Sequence, residues 1–100
     1  MKLATWNVNS LKVRLPHLLD WLARQQPDVV CLQETKLEDA KFPYAELKAA
    51  GYDAVHCGQK TYNGVAIVSR LPIADVTHGI PALEDEQKRV ISATVQGARI

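Results

Sequence analysis

Two polar residues stand where an apolar strand gives way to a loop: Asn7, near the end of the segment Lys2 to Val8, and Glu34, just after the run Val29-Val30-Cys31-Leu32. A carboxylate there offers Mg²⁺ the hard oxygen it prefers, because that ion is commonly held by one or two carboxylates together with water and substrate phosphate. An amide beside it can orient a water or a phosphate oxygen without adding negative charge. The pair therefore suits metal-assisted chemistry on a phosphate ester. The same positions also suit a carboxylate that turns to solvent and an amide that caps a loop, and spacing alone does not separate the two.

Asn7 and Glu34 meet only if the strands that carry them lie side by side. Leu3, Thr5 and Trp6 enter a core and small polar residues end the first strand. Helical spacing follows, with Leu15, Leu18, Leu19 and Leu22 on one stripe, Trp21 flanking it and Pro16 suited to a first helical turn. Pro27 ends that helix. The unalternating run Val29 to Leu32 predicts a strand covered on both faces. Strand, helix, strand implies a right-handed parallel crossover, which sets both C-terminal ends on one sheet edge, where α/β folds collect their ligands.

Beyond Lys36 the pattern changes. A shorter helix is predicted from about Pro43 to Ala50, with Leu47 inward and Gly51 as its C-terminal cap. Strands follow at Tyr52 to Cys57, Val65 to Ser69, Ile73 to Thr77 and Val90 to Val95, and another begins at Ala98. In the loop from Gly58 to Gly64, Gln59, Lys60, Tyr62 and Asn63 combine a cation, an aromatic ring and amides. That mixture suits phosphate contacts that position a duplex without reading bases, or it is an ordinary polar connection. With no repeat, low-complexity tract or flexible linker, residues 1–100 read as the N-terminal portion of one larger domain, ending within a hairpin near Ile100.

Apolar residues make up 47% of the chain and charged residues 23%, which excludes a disordered or fibrous protein. A net charge of +1 leaves any nucleic-acid contact to a local basic patch. No apolar run approaches the roughly 20 residues that span a bilayer. The apolar start stops at Asn7 and Asn9, too early for a signal-peptide core, so a cytoplasmic protein without a membrane partner is expected. Cys31 and Cys57 lack the spacing of a zinc or redox pair and read as buried reduced thiols. His17, His56 and His78 are scattered and read as structural or surface residues, and the glycines as turn residues.

Trp6-Asn7-Val8-Asn9-Ser10-Leu11 and Leu32-Gln33-Glu34-Thr35-Lys36 together resemble the exonuclease III family of AP endonucleases. The resemblance continues through Gly58-Gln59-Lys60, Tyr62 to Arg70 and Arg89-Val90-Ile91. It implies the N-terminal half of a four-layer α/β/β/α sandwich with mixed sheets, and a Mg²⁺-dependent nuclease, with Mn²⁺ as a substitute, acting on duplex DNA at abasic sites and 3′ ends. By resemblance Glu34 is the metal-binding glutamate and Asn7 the asparagine beside metal and scissile phosphate. Asn9 would support the metal's water shell, with Gln33 and Lys36 as further active-site support, Lys36 either fixing the loop through polar neighbours or remaining solvated. Lys12 and Arg14 would meet the DNA backbone. Arg89 matches a phosphate-contacting arginine, or it pairs with Glu84, Asp85 or Glu86. The remaining catalytic residues would lie beyond Ile100, and the full-length enzyme is expected to be a monomer. This chain alone is expected to be inactive, with an apolar sheet face exposed. Two rival readings share the fold: a catalytically silent nucleic-acid-binding regulator, and a phosphatase or lipid phosphodiesterase.

Overall fold

The computed structural model describes residues 2–58, 64–78, 91–95 and 98–100. Strand β1 (Leu3–Asn7) leads through helix α1 (Leu11–Gln25) to strand β2 (Val29–Gln33). A single 3₁₀ turn (Asp39–Lys41) precedes helix α2 (Tyr44–Ala49), and strands β3 (Asp53–Cys57) and β4 (Val65–Ser69) follow. Strands β5 (Ile73–His78), β6 (Ile91–Val95) and β7 (Ala98–Arg99) complete the described elements. The first four strands form a mixed sheet in the order β1-β2-β4-β3, in which β1 and β2 run parallel and the other pairs antiparallel. The last three make an antiparallel sheet in the order β5-β6-β7. Within the described residues the second sheet is therefore antiparallel rather than mixed.

Period-two alternation explains how the two layers hold together. Val30 and Leu32 of β2 and Ala66 and Val68 of β4 face the helices, where they pack with Leu11, Leu18, Leu22 and Leu47. Val29 and Ile67, on the opposite face, meet Val95 of β6 and Ile73 of β5. Strand β2 is thus covered on both sides, which is why its sequence shows no alternation. Each fully buried Leu or Val contributes about 1.5–3 kcal/mol relative to exposure. Both layers depend on this strand.

Three expectations change in detail. Helix α1 begins at Leu11, so Pro16 lies inside it rather than in its opening turn. The helix starts early because its first amides are anchored elsewhere: Ser10 N–H donates to the Glu34 carbonyl and Leu11 N–H to the Thr35 carbonyl, both at 2.9 Å. Pro16 is exposed, so the Lys12 carbonyl that it deprives of a partner faces water. Cys31 is half-buried rather than buried, although burial still pushes its thiol pKa up and keeps it protonated at neutral pH. Among the described residues of the first sheet, the expected bare apolar face is found at β1, where Leu3 is 57% exposed and Thr5 is exposed beside it, while the second sheet packs over β3 and β4.

The short helix α2 stops by a Schellman arrangement, with Tyr52 N–H donating to the Leu47 carbonyl at 2.9 Å and Gly51 N–H to that of Lys48 at 3.0 Å. Gly51 has φ +92°, a left-handed conformation that glycine adopts without strain. At the opposite end of the sheet from Glu34, Asp28 accepts the Lys2 N–H at 2.5 Å and the Arg70 Nε–H at 2.7 Å. The Lys2 amide first, and then the Arg70 guanidinium, hold its carboxyl below the usual carboxylate value. A depressed folded-state pKa stabilises the fold above the ordinary value of 3.8 and that contribution disappears as pH falls through the lowered one. Denaturation midpoints measured from pH 5 to pH 2 should therefore fall less steeply for Asp28→Asn than for the native sequence. Equal slopes would show that the latch contributes nothing.

Candidate active site

Parallel register pairs Asn7 with Gln33, and the Val8 amide extends the ladder by donating to the Gln33 carbonyl at 3.0 Å. The two strand tips therefore leave the sheet together. Both then turn sharply: Asn9, Ser10, Glu34 and Lys36 have φ of 45°, 85°, 53° and 56°. Left-handed conformations of residues other than glycine cost on the order of 1–3 kcal/mol each, and they persist where surrounding contacts over-determine them, commonly at functional sites. Four of them share two adjacent loops here.

Those turns bring Glu34 beside Asn7. The Asn7 Nδ2–H donates to Glu34 Oε2, while Asn7 Oδ1 accepts the Asn9 N–H at 3.1 Å, so both ends of the amide are fixed by their partners. Asn9 Oδ1 in turn accepts from Lys36 Nζ at 2.7 Å. Glu34, Asn7, Asn9 and Lys36 thus form one chain of polar contacts across the tips of β1 and β2. Gln33 points elsewhere, donating from Nε2 to Thr5 Oγ1 at 2.8 Å on the uncovered face of β1. Its contact braces the two strands rather than the carboxylate.

Lys12 is exposed in the first turn of α1, and together with Lys36 and Lys41 it lines a groove whose floor includes Leu11, Leu15 and Leu37. Arg14, two residues further along α1, does not line that groove. Lys60, Tyr62, Asn63 and Arg89 lie outside the described residues. Lys41 was not legible as a partner of Lys12, because nothing in their spacing places the 3₁₀ turn against the start of α1. His56, read as a structural or surface histidine, is buried, but its contact with Thr35 and Asp39 was not foreseen. The structure brings these three into contact, with Thr35 Oγ1 at 2.7 Å from His56 Nε2 and Asp39 Oδ1 at 2.8 Å from His56 Nδ1.

The donors at the strand tips are all oxygen and amide groups, a set that fits a hard divalent cation such as Mg²⁺ better than zinc. Among the described residues no three His, Cys, Asp or Glu side chains gather in one place. A cation at Glu34 would therefore draw its other ligands from water, phosphate or residues outside this group.

The sequence matches the Endonuclease/Exonuclease/phosphatase family over residues 4–97, and the chain belongs to that family. It is 40% identical to exodeoxyribonuclease III of Haemophilus influenzae over 98 residues, covering 96% of this chain and 36% of that protein. Among solved structures, a 3′ phosphatase from Neisseria bound to a product DNA hairpin superposes with a TM-score of 0.96 at 58% identity, over 99% of this chain and 39% of that one. An AP endonuclease from Archaeoglobus fulgidus gives a TM-score of 0.93 at 42% identity, over 97% of this chain and 38% of that one. The chain thus spans little more than a third of the length of these relatives.

Proposed function

We propose that residues 1–100 form the N-terminal portion of a single nuclease domain, and that the full-length protein is a cytoplasmic, monomeric DNA-repair enzyme. It hydrolyses phosphodiesters of duplex DNA at abasic sites and 3′ ends. The observation that carries this reading is the placement of Glu34 and Asn7 on adjacent parallel strand tips, locked together by a hydrogen bond. Glu34 is the carboxylate that holds Mg²⁺, for which Mn²⁺ can substitute. When bound, such an ion neutralises charge on the scissile phosphate and on the leaving oxygen. Asn7 orients the carboxylate, and its fixed amide leaves the Glu34 rotamer little freedom. The Lys36–Asn9 contact holds the two loops together and keeps a positive charge near the phosphate. Lys12, free of the cluster, meets the DNA backbone as a point charge.

The relatives named for AP endonuclease and 3′ phosphatase activities support both incision and 3′-end trimming at one site. The higher identity to the Neisseria 3′ phosphatase favours 3′-end processing. Incubating the full-length protein with an abasic duplex, a 3′-phosphate-ended duplex, a phosphoinositide and a sphingolipid tests the proposal. Magnesium-dependent hydrolysis of the DNA substrates alone is expected. Lipid hydrolysis without DNA cleavage would sink it, and binding of DNA without hydrolysis of any substrate would identify a silent regulator instead.

Lys12→Ala is expected to weaken DNA binding while leaving turnover at saturating DNA close to native. The slope of log affinity against log salt should shrink by about one, as for the loss of a single phosphate contact. An unchanged slope would remove Lys12 from the interface.

A further inference from the structure

Thr35 follows Glu34 directly and is wholly buried, yet it carries a hydroxyl. It is held from three elements: its N–H donates to the Gly64 carbonyl at 3.1 Å, its carbonyl accepts the Leu11 N–H at 2.9 Å, and its Oγ1 lies 2.7 Å from His56 Nε2. Gly64, with φ +93°, permits this approach, because a Cβ there would sit 2.1 Å from Thr35 Oγ1. His56 is itself fixed. Its side chain is fully buried, its ring stacks on Phe42 at 4.3 Å between centroids, and its Nδ1 lies 2.8 Å from Asp39 Oδ1, a close ion-pair distance rather than an aligned hydrogen bond. Asp39 Oδ1 also accepts the Gly58 N–H at 3.0 Å, tying the 3₁₀ turn to the end of β3.

Hydroxyl, imidazole and carboxylate in line have the order of a nucleophilic triad. Thr35 is 0% exposed, so its oxygen cannot reach a substrate and the arrangement performs no nucleophilic chemistry. It does constrain the residue after Glu34, and Glu34 needs constraint because its backbone occupies a left-handed conformation with φ 53°. Partners outside a metal's own ligands commonly orient those ligands, through hydrogen bonds of this kind.

We propose that Asp39, His56 and Thr35 form a positioning relay that holds the Glu34 carboxylate in its metal-binding place. This rests on the reading of Glu34 as the metal carboxylate. The Phe42 stack sets the plane of the His56 ring, Asp39 places a carboxylate beside its Nδ1, His56 fixes the Thr35 hydroxyl, and Thr35 fixes the turn that presents Glu34 to Asn7. None of the three touches substrate.

The test is a titration of the full-length protein with Mn²⁺, which shares magnesium's affinity for carboxylate oxygen, followed by electron paramagnetic resonance without DNA. Thr35→Val removes the hydroxyl at nearly constant volume and should weaken Mn²⁺ binding by about tenfold. Thr35→Ser keeps the hydroxyl and should bind as the native protein does. His56→Phe preserves the stack on Phe42 and should match Thr35→Val, while the double variant should bind no more weakly than either single one. The Michaelis constant for DNA should be unchanged at saturating metal. A purely structural role predicts lower thermal stability with native Mn²⁺ affinity in the folded protein. If Thr35→Val binds Mn²⁺ natively while Glu34→Gln does not, the relay is wrong and the Glu34 reading survives. If Glu34→Gln also binds natively, the metal assignment fails and the relay with it. Should His56→Phe fail to fold, the Thr35→Val and Thr35→Ser pair decides the matter alone.

Discussion

Glu34→Gln in the full-length protein is expected to lower turnover on an abasic duplex by about a hundredfold or more at Mg²⁺ concentrations that saturate the native enzyme. Its affinity for the same duplex, measured by fluorescence anisotropy in EDTA, should stay within about twofold. The separation follows from geometry. Glutamine has the shape of glutamate, and its amide oxygen can still accept the Asn7 Nδ2–H that Glu34 Oε2 accepts now. The strand tips and the Lys36–Asn9 contact therefore keep their arrangement. What disappears is the negative charge held beside Asn7 at the tips of β1 and β2. In the proposed reading duplex binding rests on cations such as Lys12 and on the groove it shares with Lys36 and Lys41, which the change leaves in place. Raising Mg²⁺ should recover part of the activity, because the loss is of metal affinity as well as of chemistry. Native turnover at low Mg²⁺ would show that another group holds the ion.

The layers that position this site were legible because each rests on local periodicity. Val29 to Leu32 has no alternation, and the structure buries it between helices and a second sheet. Leu18 and Leu22 fall on one helical stripe and are buried on it. The start of α1 was misjudged because Pro16 is a strong local signal, whereas the anchors at Ser10 and Leu11 are carbonyls of Glu34 and Thr35 on another strand. No local pattern announces such a bond. The same limit hid the contacts that His56 makes. Thr35, Asp39 and His56 sit on a loop, a 3₁₀ turn and a strand, and their contact exists only after α2 has folded β3 back against the sheet. Gly64 was read correctly as a turn glycine but for half of its reason. Its missing Cβ also makes room for the Thr35 hydroxyl. Asn7 and Glu34 could be found because strand ends in a parallel crossover converge by topology, which sequence order alone specifies.

The second large effect is all-or-none: the 100-residue chain by itself should cleave no abasic duplex above a protein-free control, under conditions in which the full-length protein cuts to completion. Attack of water on a phosphodiester needs a group to accept its proton in the transition state. At the strand tips the described residues offer Glu34, held by Asn7, and Lys36, which donates to Asn9. In the proposed reading the Glu34 carboxylate is taken up by the metal, neither amide is a base, and an ammonium that donates a hydrogen bond carries no free lone pair. The surroundings add a second obstacle. Asn7 lies on the same side of β1 as the exposed Leu3 and Thr5 and is itself exposed, and Glu34 is only half-buried. Charge stabilisation that depends on a shielded, low-dielectric cavity is correspondingly weak there. Product measured on a denaturing gel settles the point. Cleavage by the isolated chain that requires Mg²⁺, stops with EDTA and is lost in Glu34→Gln would prove that one carboxylate, one amide and the lysine suffice.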